Sequence, residues 1–392
     1  MSQNSGKTHG KSLMWGAPGS LWSGKTRSYL IKKGIDYQEI YASQPRFKDE
    51  ILPRLGYFVI PVVELKDGTL IQDTTDTILH FGDTVPEPPL IPATPLQKAA
   101  AWVIGFFGSE MFLISAMHYR WNFPEQQGFL DAMFGRILSP HRDMDKQRED
   151  IAPAMEFFSG FLPDLGVTDE SIPAIERSHK EFLEVLNAHF LQHPYLLGGR
   201  PCIADFGLIG PLYAHLGRDP VPATLMKNLA PHVYRWTERM FEAGFTDGEF
   251  PDVAPDYMQD DALPETLLPV LEYLFRDCGP QALGMIETYN AWVAANPDLP
   301  AGTPIQSEPQ AAPGAHPLLG HYEFQLRSTT VRRRAFADAP YHFQRLLDVI
   351  ADLDGDSRAK FDGLIKSVGG DALMAARLAR PIKSENYRFL LT

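Results

Sequence analysis

Three short stretches near the N-terminus carry residue types suited to holding an extended peptide with a charged end. The first is Ile60-Pro61-Val62, which continues in β-branched residues to Leu65. A proline there fits the first residue of a strand, which needs no ladder N–H, and the Ile60-Pro61 bond can be cis. Asp67-Gly68 then stands between two apolar runs, the short-range signature of a hairpin. The third is Asp73-Thr74, which opens a helix running to Phe81 with Asp76 in its first turn. A proline loop, a hairpin and a helix N-terminus meeting at one edge present backbone groups to an extended ligand. Ahead of them, Ala17-Pro18-Gly19-Ser20 is a turn before a helix. Ser20 thus sits where free N–H groups and the helix dipole attract negative charge.

These residues need a small scaffold to hold them. Leu13–Gly16 reads as a strand, Leu21–Lys33 as a helix closed by Gly34, and Ile35–Tyr41 as a second strand. Pro45–Leu55 reads as a short irregular helix. The order β-α-β-α-β-β-α is a thioredoxin-like layout. Five prolines between Gly82 and Pro95 mark an extended linker. Thr94-Pro95-Leu96-Gln97 is a helix start with a capping box. The helical pattern then continues past Ser171-Ile172-Pro173, Ile203–Leu216 with an internal Pro211, and Pro231–Ala243. Beyond Phe250, Pro264–Phe275, Pro280–Ala295, Ala339–Ala351 and Arg358–Ser367 read as helices, His321–Leu326 as a single strand, and Asn296–Pro317 as a loop.

The expected organisation is therefore a disordered lead-in over 1–11, a thioredoxin-like α/β domain over 12–82, and a linker over 83–94. A mainly α-helical domain over 95–250 follows, then a mostly helical C-terminal extension over 251–392 packed on it. At 392 residues the chain is too long for one average core. A net charge of −13 argues against nucleic acid as a partner. Two cysteines, Cys202 and Cys278, give neither a disulfide framework nor a metal spacing, which fits a reducing, cytoplasmic setting. The apolar run Ala99–Met117 is interrupted by Glu110 and two glycines. It is expected to be a buried helix, with no membrane partner. Arg332-Arg333-Arg334 reads as a solvated charged face.

The joint pattern resembles the glutathione transferase family. It is carried by Ala17-Pro18-Gly19-Ser20, by Lys25-Thr26-Arg27, by Ile60-Pro61-Val62, and by Gln72-Asp73-Thr74 followed by Ile78. It continues in Leu196-Leu197-Gly198-Gly199-Arg200-Pro201-Cys202-Ile203-Ala204-Asp205-Phe206, with Trp236 on a late helix. The resemblance covers residues 12 to about 245 and leaves the extension unmatched. Cys202 departs from the Ser or Thr usual there, so Asp205 is expected to take over much of the capping. Position 20 is Ser, not Cys or Tyr.

The resemblance implies a particular chemistry. Glutathione's thiol is mostly protonated at neutral pH, and its thiolate is the nucleophile. Ser20 would donate a hydrogen bond to that sulfur; its other reading is a plain N-cap, and Ser23 is the alternative donor. The backbone of Val62, presented by Ile60 and Pro61, would pair with the cysteinyl unit like an added strand. Asp73 would take the γ-glutamyl ammonium and Thr74 the carboxylate. Trp15, Ser115, His118 and Tyr119 are candidates to line a pocket for a small hydrophobic electrophile, and core packing is their other reading. Lys25 and Arg27 read as helix-surface cations. With no cysteine near Ser20, thiol–disulfide exchange is disfavoured. A homodimer is expected by resemblance, and no metal. Glutathione-dependent lyase, dehalogenase or isomerase chemistry, or binding without turnover, are the alternative activities.

Overall fold

The computed structural model describes residues 11–306 and 318–392. The lead-in expected over 1–11 thus lies outside the described residues except for Lys11, which pairs with Asp36 at 2.7 Å. So does part of the Asn296–Pro317 loop.

The N-terminal layer is a four-stranded sheet ordered β2-β1-β3-β4. Its strands are β1 (Ser12–Gly16), β2 (Tyr37–Tyr41), β3 (Val62–Glu64) and β4 (Leu70–Ile71). Strand β1 runs parallel to β2 and antiparallel to β3, with Trp15 opposite Val62, and β3 pairs antiparallel with β4. Helix α1 (Leu21–Lys33) ends on Gly34 at φ 72°, where its N–H closes back on Ile31 and Leu30; only glycine reaches that backbone region freely. One π turn (Phe47–Ile51) precedes α2 (Leu52–Leu55), which gives the expected irregular helix its form. Helix α3 (Thr74–Thr84) follows the hairpin. The linker after it is pinned by Lys33, whose ammonium bonds the carbonyls of Pro86 and Pro88 at 3.0 and 2.7 Å.

The helical domain comprises α4 (Pro95–Glu110), α5 (Leu113–Trp121), α6 (Gln127–Leu138), α7 (Met144–Ser159), α8 (Ile172–Phe190), α9 (Ile203–Ala214), α10 (Pro220–Leu229) and α11 (Pro231–Arg239). The apolar run is thus two helices broken at Met111-Phe112. The segment Pro95–Trp121 is long and apolar enough to cross a membrane, but 83% of its most apolar window is buried inside the protein. The reason is α9. A Cβ at Gly108 would lie 2.6 Å from the carbonyl carbon of Gly207, so the two backbones cross in direct contact and side chains are excluded there. At the start of α9, Asp205 accepts from the N–H groups of Cys202 (2.9 Å) and Leu196 (3.1 Å) and from the Trp236 indole (3.1 Å). The Cys202 thiol also lies 3.4 Å from that carboxylate. Thiol and carboxylate form a reciprocal capping box, the Cys202 sulfur accepting from the Asp205 N–H and Asp205 from the Cys202 N–H.

The C-terminal extension contains α12 (Leu268–Tyr273), α13 (Gly279–Ala295), α14 (Asp338–Ala351), α15 (Gly355–Ser367) and α16 (Asp371–Ala375). It also contains two hairpins, β5–β6 (Leu318–Leu326 with Thr329–Phe336) and β7–β8 (Ile382–Glu385 with Arg388–Leu391). The single strand expected at 321–326 is one arm of the first, so the extension is less purely helical than its sequence suggests. The arginine run is a solvated face only in part: Arg332 is exposed, Arg333 is buried and Arg334 pairs with Asp164 at 2.5 Å. Strand alternation explains this, because Arg333 stands opposite the inward-facing Tyr322.

The extension packs on both domains. Phe275 meets Phe107 edge to face at 5.2 Å, and Tyr273 stacks on Phe182 at 4.7 Å. At the turn of the last hairpin, Asn386 and Tyr387 both have positive φ (49° and 61°). Tyr387 holds this unfavourable conformation while its ring packs on the core formed by Leu13, Trp15, Phe47, Ile51, Leu55 and Val62.

Candidate functional site

Sheet register brings the sequence-predicted groups to one end. Strand β1 leaves the sheet at Gly16 and leads into the Ser20 turn. Val62, at the start of β3, lies beside Trp15 at that same end. Strand β4 runs antiparallel to β3 and so exits there too, into Asp73. The Ile60-Pro61 bond is cis. Ser20, the Pro61–Val62 edge and the Asp73-Thr74 helix start thus share one end of the sheet.

At that end Ser20 is the N-cap of α1. Its backbone is extended and its Oγ accepts from the Ser23 N–H at 3.2 Å. The Ser23 hydroxyl points inward and accepts from the Ala17 N–H at 3.2 Å. It is fully buried, under Gly16, so it supports the turn from within. Trp15 belongs to the core and not to a pocket: it is buried, and its indole donates to Glu64 at 3.0 Å beneath the Arg46 guanidinium. Lys25 and Arg27 are not surface cations. Helix α1 lies against α9, so Lys25 is buried, bonded to Thr75 (3.1 Å) and Ser109 (3.0 Å). Arg27 pairs with Glu39 at 2.6 Å.

Asp73 caps α3. Its Oδ1 accepts from the N–H groups of Thr75 (2.7 Å) and Asp76 (2.9 Å). Its Oδ2 faces Nε2 of His342, on α14, at 3.2 Å. One turn on, Arg345 bonds Asp76 at 2.7 Å and lies 3.8 Å from Asp73. Glu110, at the end of α4, is 3.8 Å from His342. Lys25, Asp73, Asp76, Glu110, His342 and Arg345 thus form a partly buried ionic cluster from four helices. Burial works to raise the Asp73 carboxyl, but His342, Lys25 and Arg345 outweigh it and hold it below the usual carboxylate range. Burial pushes Glu110 up to about 7. Burial also opposes charge on His342, but Asp73 and Glu110 raise it above the ordinary imidazole value. Burial lowers the Lys25 ammonium.

The residues of α5 expected to line an electrophile pocket do not reach this end of the sheet. Ser115, His118 and Tyr119 are buried between α5 and α8. His118 lies 3.3 Å from Glu176, and Tyr119 stacks on Phe123. The family resemblance implies a pocket here, but α8 covers this face through Glu176 and His179. The residue of α5 that reaches the Ser20 turn is Arg120, buried, which bonds the Gly19 carbonyl at 2.6 Å and Asp219 at 2.6 and 2.9 Å. The apolar wall over this turn comes from α6. Leu130, Met133 and Ile137 pack on Ala17, joined by Ile60, Trp121 and Phe134. No motif flagged α6. Its sole signal was apolar periodicity, which does not say what it packs on.

Residues 14–89 match the family model described as glutathione S-transferase, N-terminal domain, and residues 153–243 match that described as glutathione S-transferase, C-terminal domain. These two domains are those of the glutathione transferase family, and the extension lies beyond both matches. No curated protein matches it. Among solved structures it is similar to a glutathione S-transferase from Xanthobacter autotrophicus Py2, at 18% identity over 60% of this chain and 95% of that one, with a TM-score of 0.36. It is similar to a beta-etherase from Sphingobium sp. strain SYK-6, at 18% identity over 59% and 94%, TM-score 0.41. A rice transferase solved in complex with glutathione is 15% identical over 58% and 86%, TM-score 0.38.

Proposed function

We propose that the protein is a glutathione transferase in which the Ser20 hydroxyl stabilises the glutathione thiolate for attack on a small apolar electrophile. What carries this reading is the meeting of Ser20, the Pro61–Val62 edge and Asp73-Thr74 at one end of the sheet of a domain that matches this family. Capping uses a lone pair of the Ser20 oxygen, by accepting from Ser23; the hydroxyl hydrogen stays available to a sulfur anion. The thiol proton goes to water. The sulfur lone pair forms the C–S bond, and the leaving group departs with its bonding electrons. Met133, Phe134 and Trp121 offer apolar area for the electrophile. Lyase, dehalogenase or isomerase chemistry would use the same thiolate. By family resemblance we also propose a homodimer; a light-scattering mass near the monomer's 43.9 kDa at micromolar concentration refutes it.

The test is conjugation of glutathione to a generic aromatic electrophile. Ser20→Ala should slow it at pH 7 on the order of 10–1000-fold, the effect of removing one oriented donor. The loss should shrink as pH rises, because solution thiolate then forms unaided. Unchanged turnover in the variant would leave Ser20 a cap alone. A second reading, a binding protein of this fold without turnover, uses the same groove and differs only in lacking the bond-forming step. Glutathione retention with no turnover on any electrophile would select it.

A further inference from the structure

The carboxylate meant for glutathione's ammonium already has a cation. Of the two Asp73 oxygens, Oδ1 is used by the backbone of α3, accepting from Thr75 and Asp76. Oδ2 is the one left for a ligand, and it faces His342 Nε2 at 3.2 Å. Arg345, three residues further along the same face of α14, takes Asp76 at 2.7 Å. The His342–Asp73 pair is largely withdrawn from water, at 12% and 13% exposure, and so is weakly screened, whereas Asp76 in the Arg345 pair keeps 37% of its side chain exposed. Beside them, a cavity of about 20 Å³ touches Lys25, Thr75, Ser109 and His342. That volume suits one water, not an aminoacyl group.

Helix α14 is not a loose lid. Phe343 packs on Phe106 at 5.7 Å, and Tyr341 on Phe389 at 4.9 Å. Gln344 makes a two-way pair with Ile382, donating to its carbonyl at 2.9 Å and accepting from its N–H at 2.7 Å. Through Tyr387 the same hairpin is seated on the N-terminal core. Moving His342 away from Asp73 therefore disturbs α14 and β7–β8 together.

We propose that His342 and Arg345 are specificity residues of the thiol site: they fill its γ-glutamyl end as internal counter-ions to Asp73 and Asp76, so the resting groove favours thiols that lack a γ-glutamyl group, and glutathione engages Asp73 only by displacing α14. This rests on the glutathione reading of the groove. A ligand whose binding-competent state is a minor population binds with proportionally reduced affinity, and a change that frees the site restores it.

Calorimetric titration with glutathione and with cysteinylglycine, which lacks the γ-glutamyl unit, tests this on the full chain. The wild type should bind cysteinylglycine at least as tightly as glutathione, while His342→Ala with Arg345→Ala should prefer glutathione by about tenfold or more. His342→Gln keeps the shape and a hydrogen bond but loses the charge; it should shift the preference the same way, and it guards against misfolding of the double variant. In the wild type, saturating glutathione should speed hydrogen exchange in 338–351, a readout that needs no mutation. A wild type that prefers glutathione tenfold, or variants with an unchanged preference, overturns the proposal and leaves the glutathione reading intact. Binding of neither thiol by any form overturns both.

Discussion

Two aspartates cap helices at the centres of the two domains, and they are used in opposite ways. Asp205 is surrounded by neutral donors from its own motif and from Trp236. Burial pushes its carboxyl up to about 6 in spite of those bonds. Asp73 makes the same two-donor cap but is ringed by Lys25, His342 and Arg345, and its carboxyl is held down. A carboxylate enclosed by neutral donors braces a fold, because nothing charged can replace its partners without unmaking the helix start. A carboxylate facing cations can trade one for another, which is what binding a zwitterion requires. The identity of the neighbours, not the capping geometry, separates structural from exchangeable.

The sharpest way to break the contrast is Asp205→Ala. It strands three buried donors at once and should lower unfolding free energy by about 4 kcal/mol in chemical denaturation. A loss under about 1 kcal/mol would remove Asp205 from the framework role. Next is Phe275→Ala, which empties the extension's edge-to-face contact with Phe107. It should cost about 3 kcal/mol and shift a single melting transition. Two separated transitions, with the earlier one alone moved, would make the extension an independent appendage.

Glu110→Gln is the smallest of the three. With its carboxyl raised to about 7, the folded chain keeps a proton that the unfolded chain releases above its ordinary value of 4.5. Stability should therefore fall as pH rises from about 4.5 to 7. His342, raised above its ordinary value, acts in the same direction at higher pH: its contribution is complete below the ordinary imidazole value and lost as pH rises through the raised one. Asp73, depressed, contributes above the ordinary carboxylate value and loses that only in acid. The glutamine should flatten the pH 4.5–7 slope by on the order of 2 kcal/mol. An identical slope would place the proton elsewhere.

The groove was legible in the sequence because each of its parts is a local signal: a proline at a strand start, Asp-Gly between apolar runs, a carboxylate at a helix start. The Asp205 capping followed from a thiol standing where a hydroxyl caps better. The failures are contacts between distant segments. Lys25 was read as exposed because nothing local announces that α9 covers its face. The resemblance implies a pocket at Ser115, His118 and Tyr119, whereas periodicity reports that a face is covered and not that α8 covers it. His342 and Arg345 lay in a segment correctly read as helical, and their spacing of three did put them on one face. Only the tertiary fold supplies the two aspartates they meet.

The Arg345–Asp76 bond joins residues 269 positions apart. During synthesis at about 5–20 residues per second, the second partner follows the first by on the order of half a minute. For that interval a nascent chain can form the sheet, the hairpin and the start of α3 while Asp73 has Lys25 but neither of the cations that α14 brings. The groove exists before its occupant does, so each molecule passes once through an open form that the finished protein regains only by unpacking its last helices.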